Sequence, residues 1–110
     1  SRIMGCIQDI FETILDRREN PSPNSYTKYL FDQGLDKILK KIGEESAEVI
    51  IAAKNGNNQD TVGEIADLAY HLLVLMAQQG ITPDDVAALL YERHKKTGNL
   101  KVFHDTDKNS

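Results

Sequence analysis

Residues 60–79 restrict the possible folds more than any other segment of the sequence. Their side chains are nearly all apolar; the main exceptions are Asp60, Glu64, Asp67, Tyr70 and His71. A helix that is apolar on most of its sides must be buried, either against its own chain or against a second subunit. We therefore expect this segment to be a central helix of an all-α protein, and both ways of burying it stay open.

Apolar residues elsewhere recur at three- and four-residue steps, which is typical of amphipathic helices. The first set comprises Ile3, Ile7, Ile10, Phe11, Ile14 and Leu15, and the second comprises Leu35, Ile38, Leu39, Ile42, Val49 and Ile50. The prolines of residues 20–25 end the first helix, and residues 26–31 are expected to form a short helical turn. The second helix should run from about Gly34 to Asn55.

Glycine and proline mark the remaining helix ends. Gly56 and Gly80 suit the positions that follow helix C-termini, so the third helix should run from about Asp60 to Gln79. Thr82 as N-cap and Pro83 at the first position predict a last helix, to about residue 96. The connection after Gly56 is short, so the second and third helices should pack antiparallel. We expect an all-α bundle of four to five helices over residues 1–98 and a mobile tail over residues 99–110.

Composition narrows the classes of function. A chain of 110 residues is one domain, and a net charge of −4 argues against binding of nucleic acid by phosphate neutralisation. No segment has the pattern of a signal peptide or the length of a bilayer span, so we expect no membrane partner. Cys6 cannot form an internal disulfide, which fits a cytoplasmic protein. We expect Cys6 to be a small core residue of the first helix.

Acidic residues interrupt the second and third predicted helices. Glu45 and Glu48 are three residues apart on the second helix. The third helix carries a stripe with 4-3-4 spacing that consists of Asp60, Glu64, Asp67 and His71. Antiparallel packing of the two helices can place these acidic stripes face to face.

Ion pairs within one helix could account for part of this charge. Lys40 and Lys41 lie four residues before Glu44 and Glu45, a spacing at which opposite charges attract. A run of lysines of this kind is usually a solvated face. For Glu44 and Glu45, surface ion pairs therefore remain an alternative explanation to a role in binding.

The acids of the third helix have no such explanation. No Lys or Arg lies between Lys54 and Arg93, so Glu64 and Asp67 have no cationic partner on their own helix. Carboxylates beside a core neutralise, pair with a basic group from another element, or coordinate a metal ion. Pairing from another helix and metal coordination both remain open.

The donor atoms indicate which metal would fit. Carboxylates without cysteine suit Mg²⁺ or Mn²⁺ rather than Zn²⁺. Mg²⁺ in such sites is typically completed by substrate phosphates, which indicates hydrolysis of a phosphoanhydride with a free Glu as general base. His71 is more often a hydrogen-bonded core residue than a ligand at such a position, and we expect Tyr70 and Tyr91 to be packing residues.

Two motifs carry a family resemblance. Glu45-x-x-Glu48 followed by Glu64-x-x-Asp67 resembles the signature of the all-α nucleoside triphosphate pyrophosphohydrolases, which include the MazG proteins and the dimeric dUTPases. The sequence around these motifs carries a more specific resemblance. Residues 24–57, "NSYTKYLFDQGLDKILKKIGEESAEVIIAAKNGN", and residues 64–94, "EIADLAYHLLVLMAQQGITPDDVAALLYERH", closely resemble the phosphoribosyl-ATP pyrophosphatase family of histidine biosynthesis.

The resemblance implies a MazG-like dimeric bundle and Mg²⁺-dependent hydrolysis of the α–β phosphoanhydride of phosphoribosyl-ATP. The metal ligands and catalytic residues that it implies are Glu45, Glu48, Glu64 and Asp67, with Glu44 as an accessory ligand. The substrate contacts that it implies are Ser25, Tyr26, Lys28, Lys40, Lys41 and Lys54. Two alternatives stay open: a house-cleaning hydrolase for nucleotides such as dCTP or dUTP, and a helical adaptor whose acids pair with a basic partner.

Overall fold

The structure, a computed structural model, describes residues 2–20 and 22–97. Within these ranges the chain forms five helices and no strand: α1 (Arg2–Glu19), α2 (Tyr26–Gln33), α3 (Leu35–Lys54), α4 (Asn58–Gln79) and α5 (Pro83–Thr97). The all-α expectation is confirmed. The predicted boundary at residue 98 and the tail at residues 99–110 lie outside the described residues.

Local capping chemistry sets the ends of α4 and α5. The Asn57 side chain accepts a hydrogen bond from the Asp60 backbone N–H at 3.0 Å, so α4 begins two residues before the predicted start. Gly80 ends α4 in the left-handed conformation with φ of 73°. Thr82 and Asp85 then form a reciprocal capping box, each side chain accepting the other residue's backbone N–H. The predicted stop at Gly80 and start at Thr82 are confirmed.

Residues 26–33 form a full helix rather than the short turn that was expected. The Ser25 hydroxyl oxygen accepts the Lys28 N–H at 3.2 Å and so caps the first turn of α2. Gly34, with φ of 88°, adopts a conformation that favours glycine and redirects the chain from α2 into α3. α2 therefore packs against α3 instead of merely leading into it.

One apolar core joins the first four helices. Its buried members are Phe11, Ile14, Leu30, Ile38, Leu73, Val74 and Ala77. Arg18 joins the end of α1 to α4 and α2. Its guanidinium donates to the Ala77 carbonyl at 2.6 Å and lies 5.9 Å from the Phe31 ring centroid. The core contains some of the residues of the predicted apolar faces of α1, α3 and α4, so these faces are confirmed in part.

Some residues that were expected inside are exposed. Cys6 is exposed on α1, so its prediction as a core residue is wrong. Ile3, Leu39 and Ile50 are also exposed, although the spacing assigned them to apolar faces. The reason is that three- and four-residue periodicity identifies one side of a helix without showing that another element covers it.

The antiparallel pair of α3 and α4 leaves an apolar surface uncovered within one chain. Side-chain exposure is 64% for Ile50, 56% for Ile51, 66% for Val62 and 51% for Ile65. We call these four residues the α3–α4 apolar surface. The expected burial of the central helix is therefore only partial in the monomer. No helix in the described part of the chain is long and apolar enough to cross a membrane.

Candidate metal and phosphate site

Three carboxylates from α3 and α4 come together in one group. A carboxylate oxygen from each of Glu45, Glu64 and Asp67 lies within 4.8 Å of the other two. Glu45 and Asp67 lie at equal separations before and after Gly56 in the connection, so the antiparallel hairpin brings their helix turns level. We call these residues the acidic triad. The two acidic stripes were predicted to lie face to face. This is observed for Glu45 of the α3 stripe and for Glu64 and Asp67 of the α4 stripe.

Like charges surround Glu64. Partial burial, followed by the negative charges of Glu48, Asp67 and Glu45, raises the pKa of Glu64 above its ordinary value of 4.5. Among the described residues no basic side chain lies within ion-pair distance of Glu64 or Asp67. Pairing from another helix, the main alternative to a metal, is therefore absent from this part of the chain.

Lys41 contacts the triad at its edge, through Glu45, and its neighbour Lys40 reaches only Glu44. The Lys41 ammonium lies 4.0 Å from a Glu45 carboxylate oxygen and 3.5 Å from one of Glu44. Lys40 lies 3.9 Å from Glu44. Glu44 thus takes part in the ion pairs that its spacing allowed and lies outside the triad.

Glu48 is near the triad without belonging to it. Its charge contributes to the raised pKa of Glu64, yet its carboxylate is not among the three that cluster within 4.8 Å. The sequence predicted five metal ligands, and the geometry assembles three of them. The ligand roles of all five residues stay predictions.

The donor set of the triad fits a hard divalent cation. Carboxylate oxygens are the ligands that Mg²⁺ and Mn²⁺ prefer, and three of them leave positions for water or phosphate oxygens. His71 adds no ligand, because both of its ring nitrogens are engaged: Nδ1 with the Asp67 carbonyl at 2.7 Å and Nε2 with the Tyr26 hydroxyl at 2.8 Å. The prediction of His71 as a hydrogen-bonded core residue is confirmed.

Comparison with known proteins identifies the family. The sequence profile described as phosphoribosyl-ATP pyrophosphohydrolase matches residues 7–94. The chain belongs to this family. The matched region contains α2, α3 and α4 in full, and therefore the whole acidic triad.

Curated relatives are similar over most of the chain. The phosphoribosyl-ATP pyrophosphatase of Pelotomaculum thermopropionicum is 62% identical over 90 residues, which cover 82% of this chain and 92% of the relative. The protein of the same name from Clostridium novyi is 50% identical over 98 residues, with 89% of each chain covered. The histidine biosynthesis bifunctional protein HisIE of Lactococcus lactis is 52% identical over 100 residues, covering 87% of this chain and 47% of the relative.

The six predicted substrate contacts occupy different surroundings. Lys40 and Lys41 lie about one helical turn from Glu45, whereas Lys54 lies about 14 Å from it along the helix axis. The Ser25 side chain caps α2, and Lys28 pairs with Asp32 on the same helix. The geometry therefore places Lys40 and Lys41 near the triad and leaves Lys54, at the end of the same helix, apart from it.

Sequence reasoning named Tyr26 as a substrate contact but missed the aromatic surface that it forms with Tyr29. The Tyr26 and Tyr29 rings stack with centroids 6.1 Å apart and an interplanar angle of 25°, and the Lys37 ammonium lies 5.9 Å from the Tyr29 centroid. Burial raises the pKa of Tyr26, and the charge of Lys41 opposes this shift. The three-residue spacing of the two tyrosines on one helix was the available signal.

Proposed function

We propose that this protein hydrolyses 1-(5-phosphoribosyl)-ATP at its α–β phosphoanhydride, giving phosphoribosyl-AMP and pyrophosphate, the second step of histidine biosynthesis. The observation that carries the proposal is the acidic triad, with its carboxylate oxygens within 4.8 Å of one another, inside the region that the phosphoribosyl-ATP pyrophosphohydrolase profile matches. Relatives at 62% and 50% identity bear the name of this activity. We place the protein in the cytoplasm, where this nucleotide would be its substrate.

The acidic triad would hold Mg²⁺, for which Mn²⁺ could substitute. Lys41 pairs with Glu45 only at 4.0 Å, and Glu64 and Asp67 have no ion-pair partner among the described residues, so the triad would attract a divalent cation whose preference its oxygens match. The bound ion would supply Lewis-acid polarisation of the phosphoanhydride oxygens. Its charge would also offset the repulsion that raises the pKa of Glu64.

Side chains around the triad would bind the substrate and accept a proton. Lys40 and Lys41 would exchange their Glu44 partner for substrate phosphate oxygens, which they bind as point charges. Glu48 lies beside the triad, so its carboxylate is available to accept the proton of the attacking water. Water then forms a bond to phosphorus while the bond to the bridging oxygen breaks, and pyrophosphate leaves. Tyr26, next to Lys41, would contact the substrate.

The protein would act as a homodimer. The α3–α4 apolar surface exposes four β-branched side chains in the single chain, and burying the exposed part of each would stabilise an assembly by roughly 1–2 kcal/mol. A second copy of α3 and α4 presents the same surface, as a two-fold symmetric dimer requires. This surface lies on the hairpin that carries the triad, so assembly would also support the site.

Pyrophosphate release by the purified protein tests the function. The substrates are phosphoribosyl-ATP, dUTP, dCTP and ATP, each with Mg²⁺ and with EDTA. We expect release from phosphoribosyl-ATP that requires Mg²⁺. Release from dUTP or dCTP alone would contradict the proposed substrate and identify the protein as a house-cleaning hydrolase. No release from any nucleotide would contradict hydrolase activity and favour the adaptor alternative.

Isosteric changes in the triad test the site. We expect Glu45→Gln and Asp67→Asn to lower kcat by about 100-fold or more, because each removes a charge that would hold the cation. Glu19→Gln is the matched control, since Glu19 is exposed at the end of α1 and pairs with Arg18. Circular dichroism should show an unchanged fold in all three. Wild-type turnover by both triad variants would contradict the metal site.

A further inference from the structure

Two neighbouring hydrogen bonds join the first turn of α2 to the middle of α4. The Tyr26 hydroxyl contacts His71 Nε2 at 2.8 Å, and the Thr27 hydroxyl contacts the Tyr70 hydroxyl. Both pairs link side chains that are more than forty positions apart in sequence. Only the first reaches the acidic triad, because His71 continues to the carbonyl of Asp67 at 2.7 Å.

The Asp67 carbonyl determines how His71 is protonated. A carbonyl oxygen only accepts hydrogen bonds, so His71 Nδ1 must carry a hydrogen. In the neutral ring Nε2 then accepts, and the Tyr26 hydroxyl is the donor. The relay therefore has one direction, from Tyr26 through His71 to the backbone of Asp67. His71 is 5% exposed, so its ring lies within the bundle between its two partners.

This relay connects two parts of the proposed site. On α4, the Asp67 carbonyl accepts from the His71 side chain as well as from the helical backbone, which restrains the turn that carries the Asp67 carboxylate. On α2, the same relay holds the Tyr26 ring, whose T-shaped contact with the His71 ring has a centroid separation of 5.7 Å. The Tyr26 hydroxyl then lies where the charge of Lys41 affects it.

From this geometry we infer that His71 is a positioning residue that assembles the metal ligands and the substrate-binding surface as one unit. It acts through the Asp67 backbone on one side and through Tyr26 on the other, and contacts neither cation nor substrate. The inference rests on the proposed function. Partners hydrogen-bonded to a ligating group typically change metal affinity or activity by about 10–100-fold when they are removed. His71 bonds the backbone of Asp67 and not its carboxylate, so we expect an effect at the lower end of that range.

Substitutions separate positioning from simple packing. His71→Leu removes both hydrogen bonds, His71→Asn retains a donor at the place of Nδ1, and Tyr26→Phe removes only the hydroxyl. Tyr70→Phe is the matched control, since it deletes the neighbouring bond between the same two helices without touching the triad. Each full-length variant is measured for Mn²⁺ affinity by electron paramagnetic resonance without substrate, for kcat and KM, and for unfolding by urea.

We expect His71→Leu to weaken Mn²⁺ binding and to lower kcat/KM, each by about 10-fold. His71→Asn should recover most of the Mn²⁺ affinity, because its amide can still donate to the Asp67 carbonyl, but should keep a raised KM. Tyr26→Phe should raise KM, and combining it with His71→Leu should add little, since both act through one relay. Tyr70→Phe should alter urea unfolding alone.

Wild-type Mn²⁺ affinity and kcat/KM in His71→Leu, with only reduced stability, would overturn the inference and leave His71 as a core residue. If His71→Leu does not fold, Tyr26→Phe decides the question, because wild-type kinetics in that variant would overturn it equally. A wild-type protein that binds Mn²⁺ but does not hydrolyse phosphoribosyl-ATP would overturn the proposed function instead. The Mn²⁺ comparison of the His71 variants would still test positioning in that case.

Discussion

At the scale of single residues, the triad is a place where folding brings together charges that repel. Glu64 is the clearest case, because partial burial and then the charges of Glu48, Asp67 and Glu45 raise its pKa. The folded protein therefore binds a proton at Glu64 more tightly than the unfolded chain does. As pH rises through and above the ordinary value of 4.5, ionisation of Glu64 disfavours the folded state.

The metal-free protein should consequently gain stability when Glu64 is neutralised. We expect Glu64→Gln to raise the urea midpoint in EDTA at about pH 7.5 and to have a much smaller effect at about pH 4, which is below the ordinary pKa of 4.5 and where the wild-type carboxyl is mostly protonated. Activity should fall in the same variant, a trade-off common at charged sites. Glu19→Gln should show no gain, because Glu19 pairs with Arg18 at 3.3 Å. Equal midpoints for Glu64→Gln and wild type at about pH 7.5 would contradict the repulsion.

At the scale of helices, the chain depends on a few backbone positions that begin and end each element. Gly80 ends α4 with φ of 73°, a conformation that costs a residue with a Cβ atom roughly 1–2 kcal/mol. Gly43 is the opposite case, since it lies inside α3 and a Cβ added there meets nothing within 4 Å. Glycine inside a helix is about 1 kcal/mol less favourable than alanine.

These two glycines predict opposite effects of one substitution. Gly80→Ala should lower the free energy of unfolding by about 1 kcal/mol, and Gly43→Ala should raise it by up to about 1 kcal/mol. Urea unfolding at several protein concentrations measures both. A loss of stability in Gly43→Ala would show that a partner subunit occupies the space beside α3.

At the scale of the whole molecule, one chain does not cover its own apolar residues. The α3–α4 apolar surface lies on the two longest helices, and Leu89 and Leu90 on α5 are also about half exposed. A groove of about 250 Å³ between α1, α4 and α5, lined in part by Leu72, Met76 and Leu90, adds to the uncovered area. A large exposed apolar area is typical of an interaction site on a protein.

The proposed dimer predicts how charge on this surface would act. Ile51→Lys should raise the dimer dissociation constant by about 30-fold or more, because a lysine at a buried interface loses its hydration. Ile3→Lys is the matched control, since Ile3 is 70% exposed on α1 and lies outside the α3–α4 apolar surface. Sedimentation equilibrium measures both. A wild-type protein that sediments as a monomer at micromolar concentration would contradict the dimer.

The sequence by itself determined the helices and most of their ends. The stops at Gly56 and Gly80 and the start at Thr82 follow from chemistry among residues a few positions apart, so local pattern was sufficient for them. The same holds for the ion pairs of Glu44 with Lys40 and Lys41, which share one helix. The sequence predicted only a short helical turn where the eight-residue helix α2 forms, because Ser25 was not recognised as its N-cap.

Only the tertiary structure decided which distant groups meet. It selected Glu45, Glu64 and Asp67 as the triad, joined Tyr26 to His71, and left Ile50 and Cys6 exposed. Helical spacing tells which side chains share a face but does not tell what lies opposite that face. The angle and register between two packed helices come from the fit of all their contacting side chains. That fit is a property of the folded molecule and does not follow from any short segment of its sequence.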